Sequence, residues 1–352
     1  MKTLVPKLLI GEDSLQALTE LTRTRSFSSV WVLVDENTGK HCYPRLIHFL
    51  PQHHLLQITS GEVHKTLASC ELIWNKLSNH QADRQSLLVN LGGGVIGDIG
   101  GFAAGCYKRG ISFVNIPTTL LAMVDASVGA KTGIDWMGYK NQIGLFAEPE
   151  TVLVYPAFLN TLPHRELVSG WAEVIKHYLI ADAAAFADLS QNLQPLSAFN
   201  WPEVVKKNIA VKSHFVSQDP HEKGIRKALN FGHTIGHAAE SYFLTTEHQK
   251  LLHGEAVAIG MICESFISMR QNQLTASDLD KIVRAILHYF SLPLLPSFDL
   301  NKLLQLMKQD KKNDVQQSRF TLLNQIGNYS INNYVEEEVI LDSMNYYNSL
   351  LA

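Results

Sequence analysis

The chain has 352 residues, 46% of them apolar and 18% charged, with a formal net charge of −3. That balance supplies large cores and room for two domains, and it excludes a disordered tail, a collagen-like chain and a disulfide-stapled mini-scaffold. It also lacks the basic stripe of a nucleic-acid binder, and 4 scattered Cys against 15 His point to a reduced, cytoplasmic protein without a thiolate zinc site.

The start, Met1 to Ile10, has too short an apolar core for a signal peptide. Val30 to Val34 reads as a buried strand ending at Asp35, and His54 to Ile58 as a weaker one. Thr66 to Leu77 is helical; Ser86 to Leu91 is a further buried strand, followed by a glycine turn and a helix through Tyr107. The apolar stretch Leu87 to Cys106 contains Asn90, Asp98 and many glycines, so it reads poorly as a spanning helix. Ser112 to Ile116 is the next strand, stopped by Pro117, and Asp125 to Gly133 reads as a loop. From about Leu159 helical periodicity dominates, as in Arg165 to Ile180, where Leu167, Trp171, Val174 and Tyr178 share one face. Strand character returns only at Phe320 to Leu323. The expectation is a Rossmann-like parallel-sheet α/β domain over residues 1–160 and an all-helical domain over 161–352. The active site is expected in the cleft between them.

Two constellations carry chemistry. Gly92-Gly93-Gly94-Val95-Ile96-Gly97 has GxGxxG spacing between a predicted strand and a helix, which suits a pyrophosphate at a helix N-terminus. It suits equally a tight turn in any doubly wound sheet. The next strand carries no ribose-binding acid, although Asp35 offers one from an earlier strand. In the second constellation, His233, His237 and Glu240 fall on one helical face, and His253 opens the following helix. With Glu173 from a preceding helix these are donors for a catalytic zinc, or ordinary core residues. Basic residues in polar or glycine-rich settings (Arg109, Lys131, Lys140, Lys176, Lys212, Arg226, Lys311 and Lys312) form a local anion trap if they converge, and are otherwise solvated.

The segments Gly92-Gly-Gly-Val-Ile-Gly-Asp98, Ile116-Pro-Thr-Thr-Leu-Leu-Ala122, Ala172-Glu-Val-Ile-Lys176, Leu229-Asn-Phe-Gly-His-Thr-Ile-Gly-His237, His253-Gly-Glu255 and Asp310-Lys-Lys312 together resemble the 3-dehydroquinate synthases of the sugar-phosphate cyclase family. The resemblance implies NAD and Zn²⁺ (or Co²⁺) as cofactors, with Glu173, His233 and His253 as metal ligands. It implies cofactor contacts at Asp35, Asn37, Glu62, Lys65, Gly93, Gly94, Asp98, Thr118, Thr119 and Thr161. It implies catalytic roles for Asp125, Lys131, Lys176, Arg226, Asn230 and His237, and substrate contacts at Lys140, Asn141, Lys212 and one of Lys311 or Lys312. Arg109 matches an arginine that reaches the substrate phosphate across a homodimer interface. The implied partner is a phosphorylated sugar acid, with neither nucleic acid nor membrane. The implied chemistry is transient oxidation by NAD, phosphate elimination, reduction and an internal aldol closure. Competing readings are another cyclase of the family acting on a sugar phosphate without the carboxylate, a metal-dependent polyol dehydrogenase and a silent NAD- and metal-binding module.

The pattern departs in three places. Ala130 precedes Lys131 where the family has glycine, so a methyl group sits on a backbone expected to want positive φ. Tyr139 stands between Gly138 and Lys140, which implies a local rearrangement, and Asn313 to Ser318 lacks the glycine common after the lysine pair.

Overall fold

The computed structural model describes residues 7–137, 139–244, 250–271, 273–296, 299–310 and 319–352. Its strands are β1 (Leu8–Ile10), β2 (Val30–Asp35), β3 (His54–Ile58), β4 (Leu87–Gly92), β5 (Ser112–Pro117), β6 (Lys131–Trp136), β7 (Tyr139–Phe146), β8 (Thr151–Val154), β9 (Arg319–Gln325) and β10 (Asn328–Tyr334). Its helices are α1 (Gln16–Thr24), α2 (Glu36–His41), α3 (Tyr43–Leu46), α4 (Leu67–Asn79), α5 (Gly94–Cys106), α6 (His164–Ala181), α7 (Ala183–Gln191), α8 (Trp201–Gln218), α9 (His233–Leu244), α10 (His253–Arg270), α11 (Ala276–Tyr289), α12 (Leu300–Asp310) and α13 (Glu337–Ser349).

The chain divides into two compact units: Met1–Leu167 with Asn200–Ser217, and Val168–Phe199 with Gln218–Ala352. This differs from a single cut at residue 160. The stretch carrying α8 belongs with the first unit, where its Lys212 pairs with Asp125.

In the first unit, six strands run parallel in the order β1-β8-β5-β4-β2-β3. The β-branched and leucine runs of β2 and β4 are buried along their length, as both faces of a covered parallel sheet require. From β2 the chain steps outward to β3 and then returns to β4 on the other side. The topology therefore switches between β2 and β4, and their carboxyl ends are where such a sheet binds ligands. The segment expected to be a loop, Asp125 to Gly133, instead holds a wide helical turn (Ala122–Ala126) and the start of the β6–β7 hairpin.

The second unit is mainly helical, with one correction to the all-helical expectation. β9 pairs antiparallel with β10. The predicted face of α6 also understates its burial, because every residue from Val168 to Ile180 is buried, Glu173, Lys176 and His177 included. Charged groups so placed must be paired. Among the described residues no helix is long and apolar enough to cross a membrane.

Candidate active site

In the first unit a candidate site is built from backbone. β4 ends at Gly92, Gly93 is the N-cap of α5, and no side chain caps that helix. Its first N–H groups therefore point outward, as an anion requires. A cavity at this end of the sheet is lined by Gly93, Gly94, Gly97, Asp98, Ile116 and Lys131, among others. A Cβ on Gly93 would lie 3.0 Å from Thr119 Cγ2, whereas one on Gly97 would meet nothing within 4 Å. The turn is closed on one side and open on the other, which fits the pyrophosphate of a dinucleotide. Thr118 N–H donates to Gly92 O (3.0 Å), and Thr119 Oγ1 accepts from Ala122 N–H (3.1 Å), so both threonines hold the loop beside the turn.

Beside the cavity, residues expected in two separate roles form one network. Lys65 Nζ donates to Asp98 Oδ2 and to Asn141 Oδ1, both at 2.5 Å. Lys140 pairs with Glu62 (3.2 Å), and Asp135 Oδ1 accepts from Asn141 N–H (2.8 Å). Burial works against the Lys65 charge, yet Asp98 and Glu62 outweigh it and raise its pKa. Burial raises Asp98 and Asp135, and three carboxylates against two ammonium groups leave negative charge in excess. Asn141 has φ 53°, and Gly138 lies outside the described residues. Ala130 has φ 58° and is buried, so the expected positive φ is met by an alanine.

Several predicted cofactor residues lie outside the lining of this cavity. Asp35 caps α2, its Oδ1 accepting from Thr38 N–H at 2.7 Å. Asn37 and Thr161 are exposed, and Arg109 is exposed on a turn at φ 66°. Lys212 Nζ pairs with Asp125 Oδ1 at 2.5 Å.

In the second unit a cluster is built from side chains, and two glycines set the helix spacing. A Cβ on Gly254 would fall 1.8 Å from Ser169 O, and one on Gly260 1.8 Å from Gly232 O. Only glycine lets α10 approach α6 and the start of α9 this closely. Glu264, buried within α10, accepts from Gly232 N–H (2.7 Å) and Ile235 N–H (3.2 Å), satisfying the first turn of α9. These contacts bring Glu173, His233 and His253 together.

The Nε2 atoms of His233 and His253 each lie 3.5 Å from Glu173 Oε1. One ligand atom from each of the three residues falls within 4.8 Å of the others. His233 Nδ1–H donates to Phe231 O (3.1 Å), and His253 Nδ1–H to Glu240 Oε2 (3.5 Å). Both Nε2 atoms thus face one carboxylate, the donor set of a three-ligand divalent site. Burial, then the Lys176 charge, hold His233 well below its usual pKa, which favours the neutral imidazole that a metal ligand needs. Burial also opposes the His253 charge, but hydrogen bonds to Glu173 and Glu240 outweigh it and raise it to about 9. Lys176 pairs with Glu173.

The His237 ring lies 5.2 Å from that of His233 and 6.0 Å from that of His253, centroid to centroid. Arg226 is buried, its Nη1 donating to Pro220 O (2.7 Å). Its loop is tied by Asp219, which accepts from the N–H groups of Lys223 (3.0 Å), Gly224 (2.6 Å) and Arg226 (3.1 Å). Asn230 Nδ2 donates to Glu222 Oε1 (2.9 Å). Lys311 and Lys312 lie outside the described residues. Sequence reasoning missed Asp219, Glu222 and Glu264. Only Glu264 carried a signal, as a lone carboxylate within the apolar run Val257 to Ile267.

Comparison with known proteins bears on the family and the fold. The family model described as 3-dehydroquinate synthase N-terminal matches residues 55–169, and its C-terminal counterpart matches residues 170–313. A 3-dehydroquinate synthase of Parabacteroides distasonis is 40% identical over 97% of both chains. Among solved structures, a 2-epi-5-epi-valiolone synthase from Streptomyces hygroscopicus with NAD⁺ and Zn²⁺ bound has a TM-score of 0.85 at 25% identity, covering 98% of this chain and 97% of that one. A 2-deoxy-scyllo-inosose synthase complexed with carbaglucose-6-phosphate, NAD⁺ and Co²⁺ shares the fold, with a TM-score of 0.85 at 24% identity and 96% of each chain covered. On its sequence, over nearly its whole length, the chain belongs to the 3-dehydroquinate synthase family.

Proposed function

We propose that the chain is a phosphate-eliminating lyase that converts 3-deoxy-D-arabino-heptulosonate 7-phosphate to 3-dehydroquinate and phosphate, within the shikimate pathway to aromatic amino acids. The observation that carries this reading is the burial of three cations: Lys176, Lys212 and Arg226 are 1%, 7% and 2% exposed. Lys176 and Lys212 are paired with Glu173 and Asp125, and a substrate bearing both phosphate and carboxylate is the ligand class that several buried cations suit. A polyol dehydrogenase has no such need.

When bound, NAD supplies a reversible hydride acceptor and a divalent cation supplies a Lewis acid. Glu173, His233 and His253 would hold the cation; the glycine turn and the Lys65–Asp98 network would hold the dinucleotide. Lys131, Lys140, Lys176, Lys212 and Arg226, with Lys311 or Lys312, would neutralise the substrate, and Asp125 would orient Lys212. His237 and Glu222 are the groups suited to move protons, with Asn230 orienting Glu222 through its amide. Arg109 would act across the interface of a homodimer. Four free cysteines support a reducing cytoplasmic setting.

Purified protein supplied with NAD⁺, Zn²⁺ and the seven-carbon substrate should release phosphate without accumulating NADH. Steady NADH formation would instead establish the dehydrogenase reading. No phosphate from any sugar phosphate would leave only the binding module.

A further inference from the structure

The two histidines that face Glu173 are restrained by different means. His233 is anchored locally, its Nδ1–H donating to the carbonyl of Phe231, two residues earlier (3.1 Å). His253 has no such local anchor. It opens α10, and its side chain is 26% exposed, against 13% for His233 and 0% for Glu173. A ring at the first position of a helix, and the most exposed of the three donors, is the one whose rotamer and tautomer need outside control. The group on its far side is Glu240, on the neighbouring helix α9 and 4% exposed. Its Oε2 lies 3.5 Å from His253 Nδ1, while Nε2 of the same ring lies 3.5 Å from Glu173 Oε1. The imidazole is thus strung between two buried carboxylates, one at each nitrogen.

We infer that Glu240 is a positioning residue: it accepts the Nδ1 proton of His253, fixes that tautomer, and so presents the Nε2 lone pair to the point that Glu173 and His233 also face. The inference rests on the reading of Glu173, His233 and His253 as a metal site. A carboxylate behind a ligating histidine holds the ring in its binding orientation, and its loss costs about 10–100-fold in metal affinity. Glu240 also lies within ligand distance of His237 and His253, so direct coordination is the rival arrangement.

Titration with Zn²⁺ against a chromophoric chelator, and the visible spectrum of the Co²⁺-loaded protein, separate these cases. Glu240→Ala should bind Zn²⁺ about 10–100-fold more weakly. Glu240→Gln, nearly isosteric and still offering an amide oxygen to Nδ1–H, should fold like the parent and recover part of that loss. The Co²⁺ spectrum should keep its band positions and intensity in both variants. Unchanged Zn²⁺ affinity in both would overturn the inference. A Co²⁺ spectrum altered in both would also overturn it, by making Glu240 a ligand. A parent protein that binds Zn²⁺ no better than His233→Ala would bring down the metal-site reading itself, a result distinct from either.

Discussion

The glycine turn after β4 and the histidine cluster on α9 and α10 are built by opposite means. The turn offers backbone N–H groups beside a cavity, and no side chain caps the helix that it opens. The cluster is a set of buried and half-buried side chains, each held by a second polar group: His233 by Phe231 O, His253 by Glu240, Glu173 by Lys176. A site made of backbone tolerates change around it and fails when a Cβ is added. A site made of side chains fails when any one of them, or its support, is removed.

That contrast is open to attack at several points. His233→Ala should lower phosphate release by about 10³-fold or more and abolish stoichiometric zinc, because the Lewis acid is worth several kcal/mol. Elemental analysis beside the assay checks it, and retained zinc would remove the cluster from the contrast. Gly93→Val should weaken NAD binding by about tenfold or more through its clash with Thr119, a cost above roughly 1.4 kcal/mol, while zinc content stays at the parental level. Calorimetric titration reads the first effect; zinc lost along with it would show that the two parts are not independently built.

A smaller effect is expected at Asp219, whose pKa is lowered: its burial is outweighed by the backbone N–H groups it accepts. A depressed carboxylate stabilises the fold above its unfolded pKa, about 4, and loses that contribution as pH falls through the lower folded value. The loop carrying Arg226 should therefore loosen only below about pH 4, read as hydrogen exchange at Lys223, Gly224 and Arg226. At neutral pH, Asp219→Asn should loosen the same amides and raise KM more than it lowers kcat. The smallest change is Ala130→Gly, which relieves an L-residue at φ 58° and should stabilise the fold by about 1 kcal/mol, seen as a Tm increase of about 2 °C.

Much of this was legible from residue order. β2, β4 and β5 announced themselves as β-branched and leucine runs, and the glycine turn lay where a strand met a helix. The β6–β7 hairpin did not, for a physical reason. Cβ atoms on Gly133 and Gly144 would fall 2.8 Å from Ile143 O and 2.4 Å from Thr132 O, so these strands carry glycine where strand-forming residues are expected. In the cluster, helical spacing placed His233, His237 and Glu240 on one face. It could not reveal Glu264, which caps α9 from a residue 32 positions from Gly232 in the chain.

The course of the chain through its two units bears on how the protein is made. Residues up to Leu167 belong to the first unit, but that unit is completed only by Asn200–Ser217, after the chain has laid down Val168–Phe199 of the second. During synthesis the parallel sheet therefore emerges without α8, whose Val204, Val205, Ile209, Phe215 and Val216 end up buried. The first unit reaches its final state only after α6, with Glu173 on it, has left the ribosome. Domains that fold as units usually do so in order along the chain. Here the order is interleaved, and a nascent chain halted between Leu167 and Asn200 should be more sensitive to protease than one extended past Ser217.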